Sequence, residues 1–200
     1  MPLPNVGHLI SGPVPNGIAA ALTAHPPVSD TSSASHSAMN GYAHWVGNKL
    51  TLEATGGSNY WYIPQASPGC AHFCAVPCTG GQEAYVISDN YGGCEYHEAY
   101  NAQLNLLAFF HVHRGGGKVA KYKLSPGWVQ RSVIRSAAIS ATIGSNWSIS
   151  CIDRSTFPPT VTSKFIRVGG YPALSIQADD PGTAPYPPKP VFTRFVDLFR

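Results

Sequence analysis

The chain has 200 residues, of which 44% are hydrophobic and 12% charged, with a formal net charge of +3. That length suits one compact domain with extensions, and so small a charge does not argue for a nucleic-acid surface. No run approaches the roughly eighteen apolar residues of a membrane-spanning helix, and 20 glycines with 18 prolines favour short strands and turns over a helical bundle.

The first segment, MPLPNVGHLISGPVPNGIAAALTAHPP, carries a short apolar run without a basic flank, so it reads poorly as a cleaved export signal. The chain is then either cytosolic, or secreted or delivered into a host cell without such a signal. Residues 1–40 read as a mobile or loosely packed arm, with a weak helix over Pro15–Ala24 and a polar run at Ser29–Gly41. Residues 41–200 read as a single catalytic-type domain.

Strands follow. KLTLEA (Lys49–Ala54) alternates leucine with polar residues, and YWYIP (Tyr60–Pro64) is aromatic and stops at proline. Residues 65–82 read as a Cys-, Pro- and Gly-rich loop. AYVIS (Ala84–Ser88) is a short apolar strand closed by Asp89-Asn90. Beyond Cys94, Tyr96, Tyr100, Ala102, Leu104, Leu106, Ala108, Phe110 and Val112 stand at even positions among mostly polar odd ones, which predicts a hairpin turning near Asn101; the helix formers in EAYNAQLNLLAF offer a helix as the alternative. LLAFFHVHR and KVAKYKL, joined by Gly115, Gly116 and Gly117, predict a second hairpin. Arg114, Lys118, Lys121 and Lys123 then lie on its solvated face.

SPGWVQRSVIRSAAISATI predicts a helix, with Ser125 as N-cap and Pro126 at its first position. KFIRVGG and ALSIQA predict two late strands. DDPGTAPYPPKP is a proline-rich connector into VFTRFVDLF, a strand or short helix. The expected fold is therefore α+β: mostly antiparallel sheet or sandwich with flanking helices.

The chemistry concentrates in NYGGCEYHEAYNAQLNLLAFFHVHR, Asn90–Arg114. A cysteine attacks as its thiolate and needs a base and an exposing turn. Gly92 and Gly93 permit a sharp turn before Cys94 and bring backbone N–H groups near the sulfur, as an oxyanion hole requires. His111 and His113 share one strand face, and either can be the base if their strand neighbours Cys94. The bland alternative is a buried small thiol beside core histidines.

The five cysteines are Cys70, Cys74, Cys78, Cys94 and Cys151, an odd number that leaves at least one thiol without an intramolecular partner. CAHFCAVPC lacks the separated ligand pairs of a zinc site, so free thiols, disulfides and zinc all remain readings. His97-Glu98 is not the H-E-x-x-H signature, since position 101 is Asn. If His97 shared the odd-numbered face with His111 and His113, three histidines could hold a metal. Asn146-Trp147-Ser148 is a glycosylation triplet of a kind common by chance. No metal or cofactor is expected.

The order of glycine turn, cysteine and strand histidine resembles the glutamine deamidase fold shared by cytotoxic necrotizing factor, Burkholderia lethal factor and the chemoreceptor glutamine deamidase. The resemblance covers Val86–His113: Ser88 lies six residues before Cys94, and His111 seventeen after it. The turn is Gly-Gly-Cys where the family has Ser-Gly-Cys, and Ser88 stands where two of its members have threonine. The resemblance implies a secreted effector or toxin that deamidates a protein glutamine. Cys94 would be nucleophile, His111 base (His113 as alternative), and Ser88 would orient the ring. It implies a protein substrate as partner, no nucleic acid, no membrane, and a monomer. The alternatives are a papain-like amidase, which would open a helix at Glu95, and a non-catalytic β-rich binding domain.

Overall fold

The computed structural model describes residues 3–5, 7–11, 26–30, 32–54, 57–81, 83–115, 118–135, 145–155, 159–169 and 174–179. Its regular elements are all strands: β1 (Leu9–Ile10), β2 (Ala34–His36), β3 (Met39–Val46), β4 (Lys49–Glu53), β5 (Tyr60–Ile63), β6 (Ala71–Pro77), β7 (Ala84–Tyr91), β8 (Glu95–Asn101), β9 (Leu106–Val112), β10 (Arg114–Gly115), β11 (Lys118–Val119), β12 (Trp128–Arg135), β13 (Ser145–Asp153), β14 (Thr160–Gly169) and β15 (Leu174–Asp179). The described part is all-β, which corrects the expected α+β class with flanking helices.

The physical reason is clearest at Ser125. The Trp128 N–H donates to the Ser125 carbonyl at 3.1 Å, and Gly127 has a φ of +83°. Ser125-Pro126-Gly127-Trp128 is thus a type II turn, with proline second and glycine third. The serine and proline that read as a helix start instead launch a strand, β12, whose Val129, Val133 and Ile134 suit extended chain. The remainder of that expected helix, and the one over Pro15–Ala24, lie outside the described residues, as do the connector and the closing apolar segment.

The loop expected over 65–82 contains a strand, β6, because Ala71, Phe73, Cys74 and Val76 find buried positions. The hairpin expected near Asn101 is present, with Glu95 opposite Val112 and Asn101 opposite Leu106. The second hairpin shrinks to β10 against β11, because β6 and β8 take the two edges of β9. Within the first forty residues, β1 and β2 each belong to a sheet.

The strands form two main sheets. One curls in the order β1-β15-β14-β13-β7-β5-β3-β4 and is closed by the two-residue β1, which pairs with β15 and β4. The other runs β12-β8-β9-β6-β2. Period-two alternation sorts the barrel strands. Tyr60, Tyr85, Ile87, Trp147, Ile149, Ile166 and Val168 fill the barrel interior. Their neighbours Trp61, Ile63, Ala84, Val86, Ile152, Val161 and Phe165 point outward and pack on the second sheet, with Cys74, Val76, Cys94, Tyr96, Leu107 and Phe109. The far face of the second sheet packs Ala99, Ala108, Phe110 and Val112 under Val28, Ala120 and Trp128. No helix among the described residues is long and apolar enough to cross a membrane.

Candidate functional site

The β8–β9 hairpin decides which side chains meet. Each partnered pair sums to an odd number, as in Tyr96 with His111. Even residues of β8 therefore share a face with odd residues of β9. Cys94, Tyr96 and Glu98 face the barrel together with Leu107, Phe109 and His111. A Cβ on Gly93 would lie 3.8 Å from the Arg114 carbonyl, which continues the register one step past Cys94. Cys94 is thus diagonal to His111 and level with His113. His97 opposes Phe110 and lies on the far face. This corrects the three-histidine site on one face; among the described residues no three His, Cys, Asp or Glu are grouped to hold a metal.

Ser88, on β7, brings the barrel wall to this place. Its hydroxyl donates to the Ile63 carbonyl at 2.6 Å and lies 2.8 Å from His111 Nδ1. Its one proton is spent on Ile63, so Ser88 Oγ accepts from His111 Nδ1–H. The imidazole is then fixed as the Nδ1–H tautomer, with its lone pair on Nε2. That nitrogen is buried and has no hydrogen-bond partner. Burial, and then the positive charges His72 and His113 would carry, push the His111 pKa down to about 3. The ring is neutral across the physiological range.

His113 is held differently. Its Nδ1 accepts the Gly69 N–H at 3.3 Å, so its lone pair is engaged and its Nε2 carries the proton. His72 lies beside His111 in the sheet and has its Nδ1 3.2 Å from the Pro64 carbonyl, to which it donates. Of the two candidate bases, His111 is the one whose ring lone pair, on Nε2, accepts no hydrogen bond.

Cys94 follows Gly93, whose φ of +95° lies in the region open to glycine, and it is 4% exposed. No hydrogen bond joins its sulfur to His111 Nε2. The residue after it begins a strand, β8, where a papain-like cysteine would open a helix. None of the five cysteines is in a disulfide, so the disulfide reading is corrected. Asn146, of the glycosylation triplet, is buried in β13. Arg114, from the expected basic face, pairs with Glu95.

Sequence reasoning missed Tyr91. Its ring stacks on His111, centroids 4.0 Å apart and planes 11° apart. Asn90, at a φ of +57°, turns the end of β7 so that Tyr91 joins the inter-sheet layer. In the sequence Asn90 signals only the end of a strand; in the structure it is a change of face.

The chain matches no protein-family model, no curated protein and no solved structure.

Proposed function

We propose that this chain is a thiol-dependent amidohydrolase that deamidates a glutamine side chain of a target protein. One observation carries the proposal: Ser88 holds His111 by Nδ1, leaving Nε2 without a partner on the face shared by Cys94. This is the division of labour of a nucleophile–base–orienter triad, with a serine as orienter. The protein glutamine as substrate rests on the sequence resemblance.

The proposed cycle begins with the neutral imidazole of His111. His111 Nε2 takes the Cys94 proton as sulfur adds to the carboxamide carbon, with a backbone N–H of the glycine turn before Cys94 as the proposed oxyanion donor. The imidazolium then returns the proton to the amide nitrogen. The C–N bond breaks, ammonia leaves, and a thioester remains. Water loses a proton to His111 and adds to the thioester; the C–S bond breaks, releasing glutamate and the thiol. His111 has no exposed surface and Cys94 is 4% exposed, so both reacting groups lie in the buried layer between the sheets.

The same burial supports a second reading, a non-catalytic β-rich binding domain in which Ser88–His111 is a satisfied core pair. Intact-mass analysis of glutamine-bearing proteins, with ammonia release from a blocked glutaminyl-glycine dipeptide, separates the two. Deamidation by the wild type, abolished in Cys94→Ser and lowered about 10- to 100-fold in Ser88→Ala, is expected. Equal yields from wild type and Cys94→Ser, or none from either, would leave the binding-domain reading.

A further inference from the structure

The structure assigns Tyr91 as a positioning residue for the His111 base, an inference that rests on the hydrolase reading above. Its ring is fully buried, meets Tyr96 of β8 edge-on with centroids 6.5 Å apart, and carries its phenol oxygen beside Ser88. One face is stacked on the imidazole at 4.0 Å. Phe165 of β14 meets the ring at 68° with centroids 4.8 Å apart. The phenol oxygen accepts from Ser148 Oγ of β13 at 3.1 Å. Tyr91 is therefore clamped by two barrel strands, and it transmits their position to the ring of His111.

Two constraints then act on that imidazole from different directions. Ser88 fixes which nitrogen carries the proton, through one hydrogen bond in the ring plane. A single in-plane bond leaves the ring free to rock about it. The Tyr91 face opposes that rocking, because tilting the imidazole breaks a contact with planes only 11° apart. Together they hold the Nε2 lone pair in one direction, which proton transfer to and from sulfur requires. Neither contact reaches the substrate, so Tyr91 acts through His111.

The test compares Tyr91→Phe, which keeps the stack, with Tyr91→Leu, which removes it. Tyr91→Met, unbranched and adaptable, is the replacement should the leucine variant not fold. Ring nitrogen-15 spectra of His111 in the full chain read the tautomer without reference to activity. Wild type and Tyr91→Phe are expected to show Nδ1–H alone, and Tyr91→Leu a tautomer mixture, because a ring free to rock leaves the Ser88 hydrogen bond for part of the time. In glutamine hydrolysis, kcat falls about 10- to 100-fold in Tyr91→Leu with KM unchanged, and Tyr91→Phe restores it. A Tyr91→Leu protein with the wild-type tautomer and wild-type kcat overturns the assignment. If the wild type releases no ammonia, the hydrolase reading falls, and the spectra alone decide: a single tautomer in Tyr91→Leu overturns the positioning role.

Discussion

The two faces of the β8–β9 hairpin carry a similar set of charged and basic groups and treat them in opposite ways. The face toward the barrel has His111, and Glu98 paired with Arg131 at 3.4 Å. The far face has His97, and Glu95 paired with Arg114. Inward, the barrel wall supplies hydroxyls rather than charges: Ser88 on His111, and Ser163 on Glu98. Ser150 extends this line between Tyr96 at 2.7 Å and Ser163 at 2.6 Å. Outward, His97 Nε2 meets Glu95 at 2.9 Å and its Nδ1 meets the Tyr122 hydroxyl at 2.7 Å. Burial beside a hydroxyl keeps the inner histidine neutral while the inner carboxylate pairs with an arginine; the half-open outer layer sets a carboxylate against the histidine itself. The difference lies in what covers each face.

The largest contrast is expected between the two carboxylates. Side-chain exposure is 2% for Glu98 and 8% for Arg131, against 13% for Glu95 and 39% for Arg114. Truncating Glu98 leaves a guanidinium charge in the inter-sheet layer, so Glu98→Ala is expected to cost about 3–5 kcal/mol. Glu95→Ala leaves Arg114 in reach of water and is expected to cost about 1 kcal/mol or less. Urea unfolding of the two variants measures both. Equal costs would mean that the inner layer is wetter than its burial implies.

The next contrast is in acid. The folded His111 pKa of about 3 lies below its ordinary value of 6.5, so below pH 6.5 the unfolded chain binds a proton that the folded chain refuses. Stability is whole above pH 6.5 and is lost as the pH falls toward 3, at about 1.4 kcal/mol per pH unit from this one group. Replacing the ring by a non-titrating amide, His111→Asn, is expected to flatten that slope, whatever it costs at neutral pH. Denaturant unfolding between pH 4 and pH 7 reads the slopes (the range set by the two pKa values), and an unchanged slope in the variant would show that His111 is not buried as a neutral base.

Much of this hairpin is legible in the sequence. Sustained alternation from Tyr96 to Val112 identified two strands, and Gly92-Gly93 marked the turn before Cys94. Ser88 and His111 were named together, and the structure joins them by a hydrogen bond. What alternation along the chain could not supply was the phase between the strands. The four residues between Asn101 and Leu106 make each pair sum to an odd number, so parity inverts across the turn. That inversion puts His97 behind the sheet and Cys94 in front of it with His111. Phase is a property of turn length, and the turn's bounds were not readable from residues that also suit a helix. The failure at Ser125 is of the same kind. Ser-Pro opens helices and turns alike, and the vote belongs to Gly127, whose positive φ commits the chain to a turn. The role of Tyr91 depends on His111, Ser148 and Phe165, which come from strands far along the chain, so no local pattern announces it.

The smallest contrast tests the outer face by itself. The Glu95 carboxyl is held down to about 2, first by the hydrogen bond from His97 and, against the cost of partial burial, by Arg114. A carboxyl depressed in the folded state adds stability that is present above its ordinary pKa of 4.5 and fades as the pH falls toward 2. Removing the imidazole with His97→Gln takes away the largest of these supports and leaves Arg114. The Glu95 pKa is therefore expected to rise toward 4.5 without reaching it, with a change in neutral-pH stability of about 1 kcal/mol or less. Carboxyl carbon-13 titration of Glu95 follows this directly. If Glu95 still titrates near 2 in the variant, Arg114 alone sets the outer carboxylate. The outer histidine would then be as electrically idle as the inner one, and the hairpin's two faces would differ only in which of them is dry.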